Sequence, residues 1–300
     1  MCALYEQYKH FANHCHDMIE LTDIHGNVEY ASPSYFEILG YSDETDIFMN
    51  LHPDDQHRIR DILNMVVQSG DSMMVECRKR AKDGKWVWVE TSASPITTDK
   101  GGIRNILFIT RDISDRKQYQ HELERMAYHD HLTGLYNRRK MKIIMEELLE
   151  EAKIANEKFA ILIMDLDKFK SINDTYGHDV GDLVLKEFAS RLLQNKLDRD
   201  AVGRLSGDEF SVVLWNVDGK LDVDYYVQRI RHAFAQPCIL AGLESGIPIK
   251  SSIGYAIYPD HGDSVKVLFK QADVSLYKEK RKRHQLRLRK AGDRRALQQP

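Results

Sequence analysis

Two acidic turns carry the chemistry of this 300-residue chain: Asp165-Leu166-Asp167 and Ser206-Gly207-Asp208-Glu209. The first follows FAILIM, an apolar run that reads as a buried strand. The second lies in RLSGDEF, inside a segment that reads as a β-hairpin. Carboxylates held close repel one another and shift each other's pKa, so their convergence calls for a cation between them. Oxygen-only donors favour magnesium or manganese over zinc. Taken singly, either turn reads equally well as an ordinary solvated turn, since Asp and Gly are common turn residues. A helix-loop-helix calcium site fails on spacing. Counted from Asp165, its fifth and sixth positions hold Phe169 and Lys170, where such a loop needs Asp or Asn and then Gly.

The elements around these turns alternate. After Lys153 the chain reads as strand (FAILIMDL), helix (DVGDLVLKEFASRLLQN), hairpin (AVGRLSGDEFSVVLWN), helix (VDYYVQRIRHAFAQP), strand (IKSSIGYAIYP) and helix (VKVLFKQADVSLYKEKRK). This is a βαββαβ order. From about Phe11 to Ile113 short strands are bounded by turn signals, with hairpins at His25-Gly26-Asn27 and Asp83-Gly84 and short helices between them. Ser114 to Met126 reads as a helix N-capped by Ser114. Its Tyr119, Leu123 and Met126 follow the spacing of a heptad seam less than two repeats long.

Length predicts two domains of ordinary size. A formal charge of −3 gives no electrostatic case for nucleic acid or an acidic membrane surface. Cys2, Cys15, Cys77 and Cys238 are scattered, without a Cys-x-x-Cys pair, which argues against a disulfide framework or a zinc site. No apolar run reaches the length of a membrane span and no signal sequence opens the chain. A soluble cytoplasmic protein is expected, with a solvated basic end that frays after the last helix.

The strings DHLTGLYNRR (from Asp130), DLDKFKSINDTYGHDVGD (from Asp165), SGDEF (from Ser206) and SSIGYAIYP (from Ser251) together resemble the GGDEF family of diguanylate cyclases. The resemblance implies a nucleotidyl-cyclase palm-like α/β domain in which Asp165 and Asp208 are neighbours. It also implies that two GTP molecules meet across a homodimer and condense to cyclic di-GMP and pyrophosphate. By matching position, Asp165, Asp208, Glu209 and the Leu166 carbonyl would hold two Mg2+ or Mn2+ ions per site, with Asp208 and Glu209 as the catalytic pair and Glu209 as a ligand or the base for the 3′-hydroxyl. Asn173 and Asp182 match guanine-reading positions. Lys168 and Phe169 match backbone contacts to phosphate, His178 lies on the substrate side, and Lys280 matches a lysine on the terminal phosphates. The chain departs from the family at Ser206, which replaces a glycine, and after Lys280, where Arg283 and His284 stand in place of glycine and arginine. Arg281 and Arg283 are the nearest replacements. The family's inhibitory product site is not matched, because Leu197 aligns where arginine is needed and only Asp200 remains.

The segment from about Phe11 to Ile113 resembles a PAS sensor in HGNVEYASPSYFEILGY, HPDD, DGKWVWVE and the terminal RDISDRK at Arg111 to Lys117. This implies a five-stranded antiparallel sheet with helices, and an overall α+β chain. Its ligand stays unknown: His52 and His57 read as solvated helix-start residues, no flavin-type Asn-Cys-Arg-Phe string is present, and Trp86 and Trp88 read as sheet surface. The organisation expected is a PAS domain over 1–113, a signalling helix over 114–129 that with the PAS domain pairs two copies, a GGDEF domain over 130–286 and a basic tail over 287–300. Two rivals predict different outcomes. One is a GTP-binding receptor without turnover; the other is a dimerisation module whose output domain is only a scaffold.

Overall fold

A computed structural model describes residues 14–40, 46–98, 101–239 and 246–296. The chain divides into two compact units with the break between Glu122 and Leu123.

In the first unit, strands β1 (Met18–Asp23), β2 (Val28–Ala31), β3 (Met73–Arg80), β4 (Trp86–Thr97) and β5 (Ile103–Asp112) form one antiparallel sheet in the order β2-β1-β5-β4-β3. Helices α1 (Pro33–Leu39) and α2 (Pro53–Ser69) lie between β2 and β3 in the chain. Both hairpin turns form where the sequence places them. Gly26 and Gly84 take positive φ, and the Asp23 carboxylate accepts from the His25 and Asn27 amides. Strand alternation brings Val75, Cys77 and Lys79 to the buried face of β3. Lys79, 4 % exposed, donates to Glu20, 1 % exposed, at 2.8 Å.

Helix α3 (Ser114–Tyr128) follows β5. Ser114 does not cap it: its hydroxyl accepts from Trp88 N, and Asp112 Oδ1 accepts from Ser114 N at 2.7 Å. The capping oxygen therefore sits two residues earlier than expected, freeing Ser114 to tie the helix start to β4. No residue of α3 is buried, and the seam residues Tyr119, Leu123 and Met126 are 71, 62 and 62 % exposed.

The second unit runs β6 (Tyr136–Asn137), α4 (Arg138–Ala155), β7 (Phe159–Leu166), α5 (Phe169–Tyr176), α6 (His178–Asn195), β8 (Ala201–Ser206), β9 (Glu209–Leu214), α7 (Lys220–Ala233), β10 (Ser251–Tyr258) and α8 (Val265–Ala296). The sheet order is β10-β7-β9-β8-β6, antiparallel except for the β6–β8 pair. Strand β7 has neighbours on both edges and helices on both faces, which is why FAILIM is apolar without alternating. Ala160, Leu162, Met164 and Leu166 pack with α6 and α7, whereas Phe159, Ile161 and Ile163 pack with α4 and α8. That parity decides the site, because it turns Asp165 toward α8.

Two elements differ from expectation. The short helix α5 forms directly after the first acidic turn, with Phe169 and Ile172, three apart, packed on the core. Helix α8 continues through the expected basic tail to Ala296, because its Lys, Arg, Leu and Gln residues are good helix formers.

Candidate active site

The acidic strand end and the hairpin tip are neighbours. Asp165 lies in register with Glu209 on β9 and Ser252 on β10, and Leu166 N donates to Asp208 O at 3.2 Å. Burial pushes the Asp165 carboxyl above its ordinary range; Lys280 on α8 opposes this, and the Asp208 and Glu209 charges add to it. Lys280 Nζ stands 2.6 Å from Asp165 Oδ2. Glu209 Oε2 accepts from Ser206 Oγ at 3.0 Å and lies 3.8 Å from Arg138 Nη2. The tip's left-handed residue is Gly207 at φ 48°, whereas Ser206 is not among the positive-φ residues. A serine at this position therefore carries no backbone strain.

This donor set fits a divalent cation in its chemistry. It is all oxygen and partly buried, and the Asp208 and Glu209 charges add, behind burial, to the upward push on the Asp165 carboxyl. In the conformation seen, that charge faces protein cations: Asp165 turns to Lys280 and Glu209 lies near Arg138, with the neutral Ser206 hydroxyl donating to Glu209. Among the described residues, no group of three His, Cys, Asp or Glu side chains is spaced to share an ion.

The remaining sequence-derived residues surround α5. Lys168 occupies its N-cap in the left-handed conformation, φ 64°, and no side chain caps this terminus. A helix start of this kind presents unpaired N–H groups to an anion. Asn173, on the last turn of α5, has its Oδ1 buried without a hydrogen-bond partner, directly against Gly181 of α6. A Cβ on Gly181 would lie 1.8 Å from that oxygen. Gly181 thus lets Asn173 pack beside the helix turn that carries Asp182. Asp182 and His178 are exposed, and Phe169 is half-buried against the core.

Two ion networks escaped the sequence reading. Asp130 accepts from Thr133 N and Oγ1 and from Arg204 Nη1 at 3.0 Å, while Arg204 Nε donates to Gly207 O at 2.8 Å. This latch fastens the hairpin tip to the segment before β6. The only signal in the sequence is an acid in DHLTGLYNRR and a base in RLSGDEF. In the second network Arg283 Nη1 donates to Asp167 Oδ2 at 2.9 Å, and its Nε lies 2.8 Å from Glu279 Oε1. Glu279 also meets Arg231 Nη2 at 2.9 Å, and Asp167 Oδ1 accepts from Ser252 Oγ. Arg283 is therefore engaged by carboxylates rather than left free, and Arg281 lies over the Tyr277 ring at 5.8 Å.

At the position of the family's product site, Asp200 is buried, and its two oxygens accept from the Leu197 and Trp215 amides. Arg199 stacks over Trp215 at 4.1 Å. In the first unit, His52 Nδ1 accepts from Asp54 N as a helix cap, and His57 pairs with Asp61. A cavity of about 20 Å³ lies against Glu20, Cys77 and Lys79, room for roughly one water.

Residues 127–285 match the family model described as "Diguanylate cyclase, GGDEF domain", and residues 28–110 match a PAS fold. The response regulator PleD of Caulobacter vibrioides is 37 % identical over 55 % of this chain and 36 % of its own length. The bifunctional diguanylate cyclase/cyclic di-GMP phosphodiesterase MucR of Pseudomonas aeruginosa is 38 % identical over 52 % of this chain and 22 % of its own. An uncharacterized protein of Sinorhizobium fredii, y4lL, is 29 % identical over 88 % of this chain and 33 % of its own. The chain thus spans about a third or less of these relatives. Among solved structures, the GGDEF domain of TpbB from Pseudomonas aeruginosa superposes with a TM-score of 0.50 at 35 % identity, covering 52 % of this chain and 90 % of that one. With over half its length in that model and a PAS fold before it, the chain belongs to the GGDEF family.

Proposed function

We propose that this protein is a diguanylate cyclase that condenses two GTP into cyclic di-GMP and two pyrophosphates as a homodimer under PAS control. The observation that carries this reading is the register of Asp165 with Glu209 beside Asp208, with Lys280 at the same strand end. Each GTP 3′-oxygen forms a bond to the α-phosphorus of the other GTP, the bond to pyrophosphate breaks, and the hydroxyl proton leaves. Asn173 and Asp182 orient guanine, whose N1–H and N2–H donors suit a carboxylate and which adenine lacks there. The uncapped α5 start, at Lys168 and Phe169, receives phosphate oxygens on its amides. Lys280 holds the terminal phosphates, and His178 lines the substrate side. Asp165, Asp208, Glu209 and the Leu166 carbonyl would hold two Mg2+ or Mn2+ ions, which when bound neutralise the leaving group and acidify the hydroxyl. Glu209, which accepts from Ser206 and lies near Arg138, serves as a metal ligand or as the base that takes the proton.

The exposed seam of α3 supports pairing of two copies through that helix and the PAS unit. We assign residues 1–113, 114–129, 130–286 and 287–300 to sensor, signalling helix, catalytic domain and basic tail. Among the described residues no helix is long and apolar enough to cross a membrane, which supports placing the protein in the cytoplasm. With Leu197 where the resemblance needs arginine, and Asp200 engaged by backbone amides, product inhibition at that position is expected to be weak or absent. The engagement of Arg283 by carboxylates favours one second reading, a receptor that binds GTP without turnover. Incubation with GTP and magnesium, with chromatographic detection and an Asp208→Ala control, decides. Cyclic di-GMP from the wild type alone supports the cyclase; GTP binding by the dimer without product supports the receptor.

A further inference from the structure

We propose that Arg283 is a positioning residue that fixes the rotation of α8 and so holds Lys280 over Asp165, and that it is not itself a phosphate ligand. The inference rests on the role given above to Lys280. Helix α8 comes backbone to backbone with the sheet at Gly254 of β10, where a Cβ would stand 2.1 Å from Leu276 N and 2.3 Å from Ala272 O. Leu268, Ala272 and Leu276 seat α8 in the core as far as this contact, but none of residues 277–283 is buried, so apolar packing does not hold the next turn. Ion pairs hold it instead. Lys280 and Arg283 are three apart and share a helix face; Asp165 is near the end of β7 and Asp167 is the first residue past it. The chain joins them as a ladder of two rungs, Lys280 to Asp165 at 2.6 Å and Arg283 to Asp167 at 2.9 Å.

The second rung is braced on every side. Asp167 keeps its place past β7 through its N–H to Lys250 O and through Ser252 Oγ. Arg283 Nε meets Glu279, which also accepts from Ile253 N and pairs with Arg231 of α7. Asp167 is 11 % and Glu279 19 % exposed, so these pairs are shielded from solvent far more than a surface ion pair. An arginine is suited to this role because its planar fork serves two carboxylates at once. The consequence is a division of labour: when nucleotide phosphates draw Lys280 away from Asp165, the Arg283 rung keeps the helix in register.

A double-mutant cycle on Arg283→Gln and Lys280→Met, read by equilibrium binding of GTP and of GMP, tests this. Each single change is expected to weaken GTP about fivefold or more while leaving GMP unaffected, and the double variant to bind no more weakly than Lys280→Met alone. Arg283→Lys, which can reach Asp167 but not Glu279 as well, should recover part of the loss. Losses that multiply in the double variant would overturn the proposal, since Arg283 would then meet the ligand on its own. Amide exchange without nucleotide gives a second arm: residues 276–283 should exchange faster in Arg283→Gln while the rest of the unit is unchanged. Unaltered exchange there would also overturn it. If the wild type binds no GTP, the cyclase reading fails, and the exchange arm alone still decides the role of Arg283.

Discussion

Replacing Gly181 by alanine should separate nucleotide affinity from stability. The new Cβ would stand 1.8 Å from Asn173 Oδ1 and 3.0 Å from its Cγ, with Phe169 Cζ at an ordinary 3.4 Å. Carbon and oxygen approach to about 3.3 Å at closest, so the amide must retreat by roughly 1.5 Å. It can do so by rotating, because it is the end of a short side chain and Oδ1 has no hydrogen bond to lose. Alanine is favoured over glycine inside a helix by about 0.8–1 kcal/mol, which offsets the crowding. The unfolding midpoint should therefore hold or rise. Affinity moves the other way: a lost base contact costs about 1–3 kcal/mol, or roughly five- to 150-fold in Kd. Titration calorimetry with a non-hydrolysable GTP analogue, run beside thermal unfolding, reads both quantities. Unchanged affinity in a folded variant refutes the placement of Asn173 on the base. A loss of affinity tracking a fall in Tm refutes the claim that Gly181 serves the site rather than the fold.

Three further outcomes are expected. The Asp130 carboxyl, although partly buried, is held below its ordinary value of 3.8 by Thr133 and Arg204. Its contribution is present above that pH and is lost as pH falls through the lowered value, so Asp130→Asn should flatten the acid-side loss of stability in urea unfolding from about pH 5 downward; an unchanged slope contradicts the latch. Ser206→Gly removes the hydroxyl that donates to Glu209 and relieves no backbone strain, so product formation should fall and not rise; a tenfold gain would mean that Ser206 strains the turn. Leu123→Lys, at the exposed centre of the α3 seam, should raise the dimer dissociation constant in sedimentation velocity, and an unchanged constant would move the dimer contact elsewhere.

What the sequence discloses here follows the range of the interactions. The β7 strand, the SGDEF hairpin and the turns at Gly26 and Gly84 were legible because their signals are local: an apolar run, an acidic turn, a glycine where φ must be positive. The adjacency of Asp165 and the hairpin tip was legible through the family resemblance, and strand parity on β7 accounts for it physically. Helix α5 was not read, because eight residues with two packed apolar positions give no sustained period. The Ser114 cap was misplaced because Asp112, two residues earlier, is an equally good acceptor. Arg204 and Arg283 were invisible as partners of Asp130 and Asp167 because 74 and 116 positions separate them; only the folded sheet sets which charges meet.

The buried pair of Glu20 and Lys79 in the first unit constrains how that unit can change. Glu20 keeps one oxygen, Oε1, without a partner at 1 % exposure, so the pair is a means of neutralising two interior charges more than a source of stability. Losing Lys79 would strand the Glu20 carboxylate in the core, at about 3–5 kcal/mol, whereas Lys79 also meets the Tyr35 hydroxyl at 3.5 Å and its ring at 4.7 Å. Exchanging both for apolar residues of similar volume would cost little. A change at Lys79 is therefore tolerated only together with a change at Glu20, and homologous sensor units that lack the lysine should lack the glutamate.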